Sequence, residues 1–427
     1  MYNLVKSSFF VLFFMLFSGC VATQPSAKKG YEKSFEYEDM YILSALHLEE
    51  IGDHNNSSNL FNTLYEASNK KEYLYRSLRN DLAANENGRA IKRVDEISKN
   101  SIDDFELTRI KTIALVKQNK LDEAKKLATR LVEASKSVND YLLVSEIYVK
   151  LKEYESALKY LEGAYIKENN EKILESIAVI LYVNLDRKKD AIAQLETHSR
   201  IHGCSVFICS KLIGFYSNDN NIDGLLSTYL RLYKIEFSRD IAAKIVQIYG
   251  YKKDFLKMTE FLEESRSDNE LLLQLYIQAR NYKKAATIAN ELYEENGDVT
   301  LLGQSAIFEY ESSEDKSDKV MQKSVIAKLK ETIETKREGM YLNYLGYLLI
   351  DHSIDIKKGI DYIKEALKIE PNSIYYLDSL AWGYYKLGDC KEAAKIMKKV
   401  ENMDGSSNEE VVKHIETIKK CNESKKK

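Results

Sequence analysis

Residues 374–400 read IYYLDSLAWGYYKLGDCKEAAKIMKKV, and their spacing decides the fold. Leu377, Leu380, Ala381 and Tyr384 recur at intervals of three and one, then three, so they share one helix face. Gly388-Asp389 interrupts the pattern, and Ala393 and Met397 restart it four residues apart. The stretch predicts two helices joined by a tight turn, with the small residues Ala381 and Ala393 on their apolar faces.

The unit before it reads Leu342-x2-Leu345-Gly346-x2-Leu349, then Gly359-x3-Ile363-x2-Ala366, and closes on Pro371. Both units resemble the tetratricopeptide repeat, a pair of antiparallel helices of about 34 residues. The earlier one departs from that pattern: Gly359 stands for the usual Ala, and the Asp351–Asp355 turn carries an extra residue. Further copies lie upstream, at Tyr141–Ala164, at Leu273–Leu292 and in the half-unit Leu121–Leu131. Tyr41–Tyr65 and the stretch around Tyr182, Ala191 and Leu195 are weaker. Leu74–Ile97, Val206–Leu232 and Ile241–Leu262 keep apolar spacing but read as having lost the small residues.

At that period roughly eleven units fit between Glu38 and Asp404. The resemblance implies an all-α, TPR-like α-solenoid superhelix of antiparallel helix pairs with a C-terminal capping helix. The expected organisation is a signal peptide over 1–19, a lipidated N-terminus and linker over 20–37, and divergent repeats over 38–300. An irregular helical segment over 301–338, two well-formed repeats over 339–404, and a capping helix with a basic tail over 405–427 complete it. The charged run Glu311–Asp318 reads as an extended turn, and Val411, Val412, Ile415 and Ile418 as the apolar face of the cap.

Composition agrees. Only two prolines, Pro25 and Pro371, occur in 427 residues, so little interrupts helix. Charged residues make up 30% with a net charge of -3, and the two signs alternate. That is the pattern of solvated helix faces, and it speaks against nucleic acid as a partner.

The N-terminus carries an address. Met1–Lys6 is short and basic, Phe9–Phe17 is almost wholly apolar, and Ser18-Gly19 precede Cys20. This layout resembles the lipobox of bacterial lipoproteins, although Phe17 stands where Leu is usual. The resemblance implies cleavage before Cys20, lipidation of that cysteine, and a mature chain tethered to a membrane. A plain secretory signal and an uncleaved anchor are the other readings. An anchor needs about 20 apolar residues, and Lys6, Ser7 and Ser8 interrupt the run. Val21, where an Asp would hold the protein at the inner membrane in enteric bacteria, favours the outer membrane, facing the periplasm.

Four more cysteines follow Cys20. Cys390 lies one turn before Ala393 and Cys421 one turn after Ile418, on helices joined by Asp404–Ser407. They come level, so a disulfide between Cys390 and Cys421 would staple the cap to the last repeat; two buried thiols are the alternative. His198-x3-His202-x-Cys204-x4-Cys209 offers four potential metal ligands. The expected reading is no metal, and a Cys204–Cys209 bridge is open only if Cys204 lies in a loop.

No H-E-x-x-H, Walker-type or G-x-S-x-G motif occurs. We expect no enzyme activity and no cofactor. The resemblance instead implies a groove for a peptide or helix of a protein partner, lined by the first helix of each pair. It maps groove positions onto Met340, Asn343 and Tyr347, and onto Tyr375, Asp378, Trp382 and Tyr385. Trp382, the only tryptophan, either faces the groove or packs between repeats. The expected role is a lipid-anchored scaffold in an envelope assembly, serving outer-membrane biogenesis, pilus or flagellar assembly, or cell-wall machinery. The alternatives are a regulatory subunit of an envelope enzyme and a structural part of a large complex.

Overall fold

The computed structural model describes residues 34–98, 104–403 and 406–424. The signal segment, Cys20 and most of the linker therefore lie outside the described residues. What is described is helical, with no strand among the described residues. The chain divides into two compact units, one ending at Ile201 and the other beginning at His202.

The first unit contains α1 (Glu38–Glu50), α2 (His54–Ser68), α3 (Lys71–Ala83), α4 (Asn87–Ser98) and α5 (Phe105–Lys117). It continues with α6 (Leu121–Ser135), α7 (Val138–Lys150), α8 (Tyr154–Lys167), α9 (Glu171–Val179) and α10 (Lys188–His202). A π-helical turn, Ile180–Asn184, extends α9. The second unit contains α11 (Val206–Asn218), α12 (Ile222–Tyr233), α13 (Arg239–Lys252), α14 (Phe255–Ser265), α15 (Asn269–Gln278) and α16 (Tyr282–Asn296). Then come α17 (Val299–Ser312), α18 (Lys319–Thr335), α19 (Gly339–Asp351), α20 (Ile356–Ile369), α21 (Ile374–Lys386), α22 (Cys390–Val400) and α23 (Glu409–Ser424).

The turns inside the pairs explain where the helices stop. A residue in left-handed backbone closes the first helix at Gly52, Asn85, Asn119, Lys152, Asp186, Asn220 and Lys253. These positions recur every 33 or 34 residues, which marks the repeat more sharply than any apolar residue does. The second helix then commonly opens on an Asp or Asn whose side chain accepts from a first-turn amide, as Asp254, Asn281, Asp355 and Asp389 do. Such a cap satisfies an amide that has no partner within the helix and contributes about 1 kcal/mol.

Small buried residues lie at the contacts. Ala45, Ala128, Ala157, Ala285, Ala381 and Ala393 are all fully buried. Three segments expected to lack such residues also have them. Ala90 and Ala242 are buried, and Gly224 sits so close to the Tyr216 ring that a Cβ there would collide with it. In the Val206–Leu232 segment the small position is a glycine facing an aromatic, which an alanine-based pattern does not find.

The segment expected to be irregular, 301–338, is an ordinary pair, α17 and α18. Only the connection is unusual: residues 313–318 form a longer turn without left-handed backbone, and Asp318 caps α18. The charges that blurred the repeat belong to this turn.

Near the N-terminal end, one buried carboxylate ties α2, α3 and α4 together. Asp81 on α3 is fully buried. It accepts from Arg89 at 2.6 Å and Arg93 at 2.7 Å on α4, and from Ser58 on α2. Removing this carboxylate takes from Arg93, which is mostly buried, its charged partner and should destabilise this end of the unit.

A candidate partner-binding pocket

The last three pairs of the second unit and the cap share one core, running from Ala306 to Ile418. The first helices of those pairs, α17, α19 and α21, present Tyr310, Tyr344 and Asp378, each 34 residues after the one before. Spaced one repeat apart, these positions fall on equivalent faces of successive helices. Together with the start of α23 they border a cavity of about 520 Å³.

The walls are tyrosine and carboxylate. The Tyr344 hydroxyl donates to Glu311 at 2.5 Å, and the Tyr347 hydroxyl donates to Glu410 on the cap. Burial, reinforced by those carboxylates, holds both phenols well above the usual tyrosine range. Tyr310 is pushed up to about 12, by burial first and then by Asp351, Glu311 and Glu410. All three remain protonated donors at neutral pH. The Tyr310 hydroxyl lies 3.0 Å from Nε2 of His352, whose own pKa is lowered by burial. Lys316 reaches back from the α17–α18 turn, with Nζ 4.3 Å from the Tyr310 ring centre. Burial lowers its pKa, against the attraction of Glu311.

The cap is part of this site. Val411, His414 and Ile418 are buried and Ile415 is partly so, while Val412 points outward. The expected cap face therefore exchanges Val412 for His414, because 411, 414, 415 and 418 follow the helical three-four spacing. His414 has a reason to be buried. Its Nδ1 lies 3.0 and 3.1 Å from the two carboxylate oxygens of Asp378. An ionised carboxylate only accepts, so Nδ1 carries the proton. The His414 ring stacks on Trp382 with centres 4.0 Å apart.

The seven expected groove residues thus divide. Asn343, Tyr347, Tyr375 and Asp378 line the cavity. Met340 is exposed outside it. Trp382 lies against the cap: its indole N–H donates to Asp351 at 3.0 Å, and Tyr385 stacks on it at 4.8 Å. Trp382 therefore joins the α19 repeat, its own repeat and α23, and it also lines a neighbouring cavity with Tyr347, Asp351 and Glu410. The residues that sequence reading missed are Tyr310, Glu311, Lys316, Tyr344, Asp351, Glu410 and His414. Tyr310 was within reach by stepping back 34 residues from Tyr344.

The cysteines are placed as follows. Cys390 and Cys421 are joined, their Cα atoms 5.7 Å apart. α10 ends at His202, Gly203 turns the chain with φ 89°, and Cys204 lies in the loop before α11. It is joined there to Cys209, with Cα atoms 5.5 Å apart. His198 is buried, 2.6 Å from the Tyr165 hydroxyl. With both thiols in a disulfide, the His-Cys tetrad is not a ligand set. No group of three or more His, Cys, Asp or Glu arranged to hold a metal occurs among the described residues.

The helix pairs, their small-residue contacts and their left-handed turns define an all-α repeat array of the α-solenoid class. Its helix pairs are TPR-like, similar in build to tetratricopeptide repeats. Residues 117–198 match the family described as "Anaphase-promoting complex, cyclosome, subunit 3". A TPR repeat-containing protein of Methanocaldococcus jannaschii is 23% identical over an alignment of 346 residues that covers 71% of this chain. The chain spans 59% of that relative's length. Among solved structures, the APC/C hetero-tetramer Cut9–Hcn1 is 9% identical, with 90% of this chain and 97% of that chain covered and a TM-score of 0.32. A thermophilic TPR protein of Thermus thermophilus is 16% identical, with 42% and 97% covered and a TM-score of 0.32.

Proposed function

We propose that this chain is a lipid-anchored scaffold of a bacterial envelope, tethered through Cys20 and facing the periplasm from the outer membrane. It holds a protein partner in the pocket between α17, α19, α21 and the cap. The observation that carries this reading is the cavity itself. Tetratricopeptide repeats serve as protein-interaction scaffolds, and here four of the seven expected groove residues line one concavity. The tether reading is supported by the run Phe17-Ser18-Gly19-Cys20.

Tyr375 lines the cavity and is 55% exposed, so it accepts a photo-crosslinking amino acid without disturbing the core. Crosslinking in cells from position 375 should give one dominant protein adduct. The same probe at exposed Ile166, in the other unit, should not give that adduct. Identical adduct patterns from both positions would remove the pocket from the scaffold's function.

A further inference from the structure

The cavity has a pronounced chemical bias. Four of its lining residues are carboxylates, Glu311, Asp351, Asp378 and Glu410, and one is a lysine, Lys316. The tyrosine hydroxyls of 344 and 347 are already used as donors to two of those carboxylates. A carboxylate has about four acceptor sites, so acceptors remain in excess. Oδ1 of Asn343, also in the lining, is buried and accepts no hydrogen bond. Positively charged N–H donors are outnumbered there: Lys316 is the one cation in the lining, and its ammonium already donates to the Tyr310 carbonyl oxygen.

We propose that it takes the cationic side chain of an arginine or lysine, presented by an extended segment of a protein partner. The inference rests on the scaffold reading and specifies the partner's chemistry. The protein already shows the contact once on a wall of the cavity and once beside it. Lys316 sits over Tyr310, and Lys386 lies 5.2 Å from the centre of the Trp382 ring and 3.6 Å from Asp351. Cations are drawn to aromatic faces, the more so where water is excluded. A guanidinium adds five donors in a planar fork suited to carboxylates. An anionic or apolar segment would instead bury these carboxylates without compensation. A bare metal ion is disfavoured, because the described residues offer it no ligand cluster.

The test pans a randomised nonapeptide display library on the full chain. Arginine or lysine should be enriched at one position several-fold over the input. Replacing that residue by its neutral counterpart, citrulline for arginine or acetyllysine for lysine, should weaken a selected peptide at least tenfold. The double variant Glu311→Gln/Glu410→Gln keeps the acceptors for Tyr344 and Tyr347 but removes two charges, and it should weaken the peptide by a similar factor. Thermal melts of the variant exclude unfolding as the cause, and Tyr375→Ala provides an independent perturbation at an exposed wall. Enrichment of acidic or apolar peptides, no enrichment at all, or wild-type binding by the folded double variant would overturn the inference. If crosslinking from position 375 still captures a specific partner in those cases, the scaffold reading survives without it. If crosslinking also fails there, the scaffold reading falls too.

Discussion

Gly346 and Gly359 face each other where α19 crosses α20. A Cβ on Gly359 would come within 2.6 Å of the Gly346 carbonyl oxygen, and one on Gly346 within 2.7 Å of the Gly359 oxygen. Gly359 departs from the repeat pattern because the two backbones touch, leaving no room for the usual alanine. Helix propensity alone would favour Gly359→Ala by about 0.5–1 kcal/mol. The contact is with backbone, which cannot swing aside, and overpacking of this kind costs about 1–3 kcal/mol. Gly359→Ala should therefore lower stability in a denaturant titration. His352 gives a pH prediction at the same scale. Burial lowers its folded-state pKa below the ordinary value of 6.5. Below that pH the unfolded chain takes up a proton that the folded chain refuses, so stability falls on acidification until the folded pKa is reached. His352→Gln should flatten that part of the stability–pH curve, measured as melting temperature from about pH 7 to pH 5.

At the scale of elements, α23 reads from sequence as a lid on an apolar end, and the structure makes it a wall of the pocket. The cysteine register was readable, because positions equally far from a turn come level on antiparallel helices. The role of His414 was not, because its partner Asp378 is 36 residues away and a lone histidine has no pattern. Two variants separate the ties that hold the cap. Cys421→Ser opens a loop of 31 residues, which on loop entropy should cost the second unit about 3–4 kcal/mol. Trp382→Ala removes the stacking on His414 and the hydrogen bond to Asp351. It should cost about 2 kcal/mol, given that the side chain is only partly buried. Hydrogen exchange should show both losses first in α23. A Trp382→Ala protein with unchanged protection there would leave Trp382 the groove role alone.

For the whole molecule, the repeat was legible wherever alanine marked the helix contact, as at Ala381 and Ala393 or Ala285 and Ala289. It was missed where glycine met an aromatic, at Gly224 and Tyr216, and where the charged turn of residues 313–318 replaced the short left-handed one. The recurring left-handed residue was hidden because lysine, asparagine, aspartate and glycine all fill it. Cys20→Ser tests the tether at this scale. The protein should move from the membrane to the soluble fraction with its melting temperature unchanged. Retention in the membrane would point to an uncleaved anchor instead.

The bond between Cys390 and Cys421 also sets a direction. Stability in a stacked array comes from neighbour contacts, so helices peel away from free ends first. In the second unit one end is sewn shut. Opening within this unit should therefore spare the cap end, and the cation-seeking pocket should keep its shape until late. Reducing the bond would reverse the order, and the pocket would dissolve first while the repeats behind it still stood.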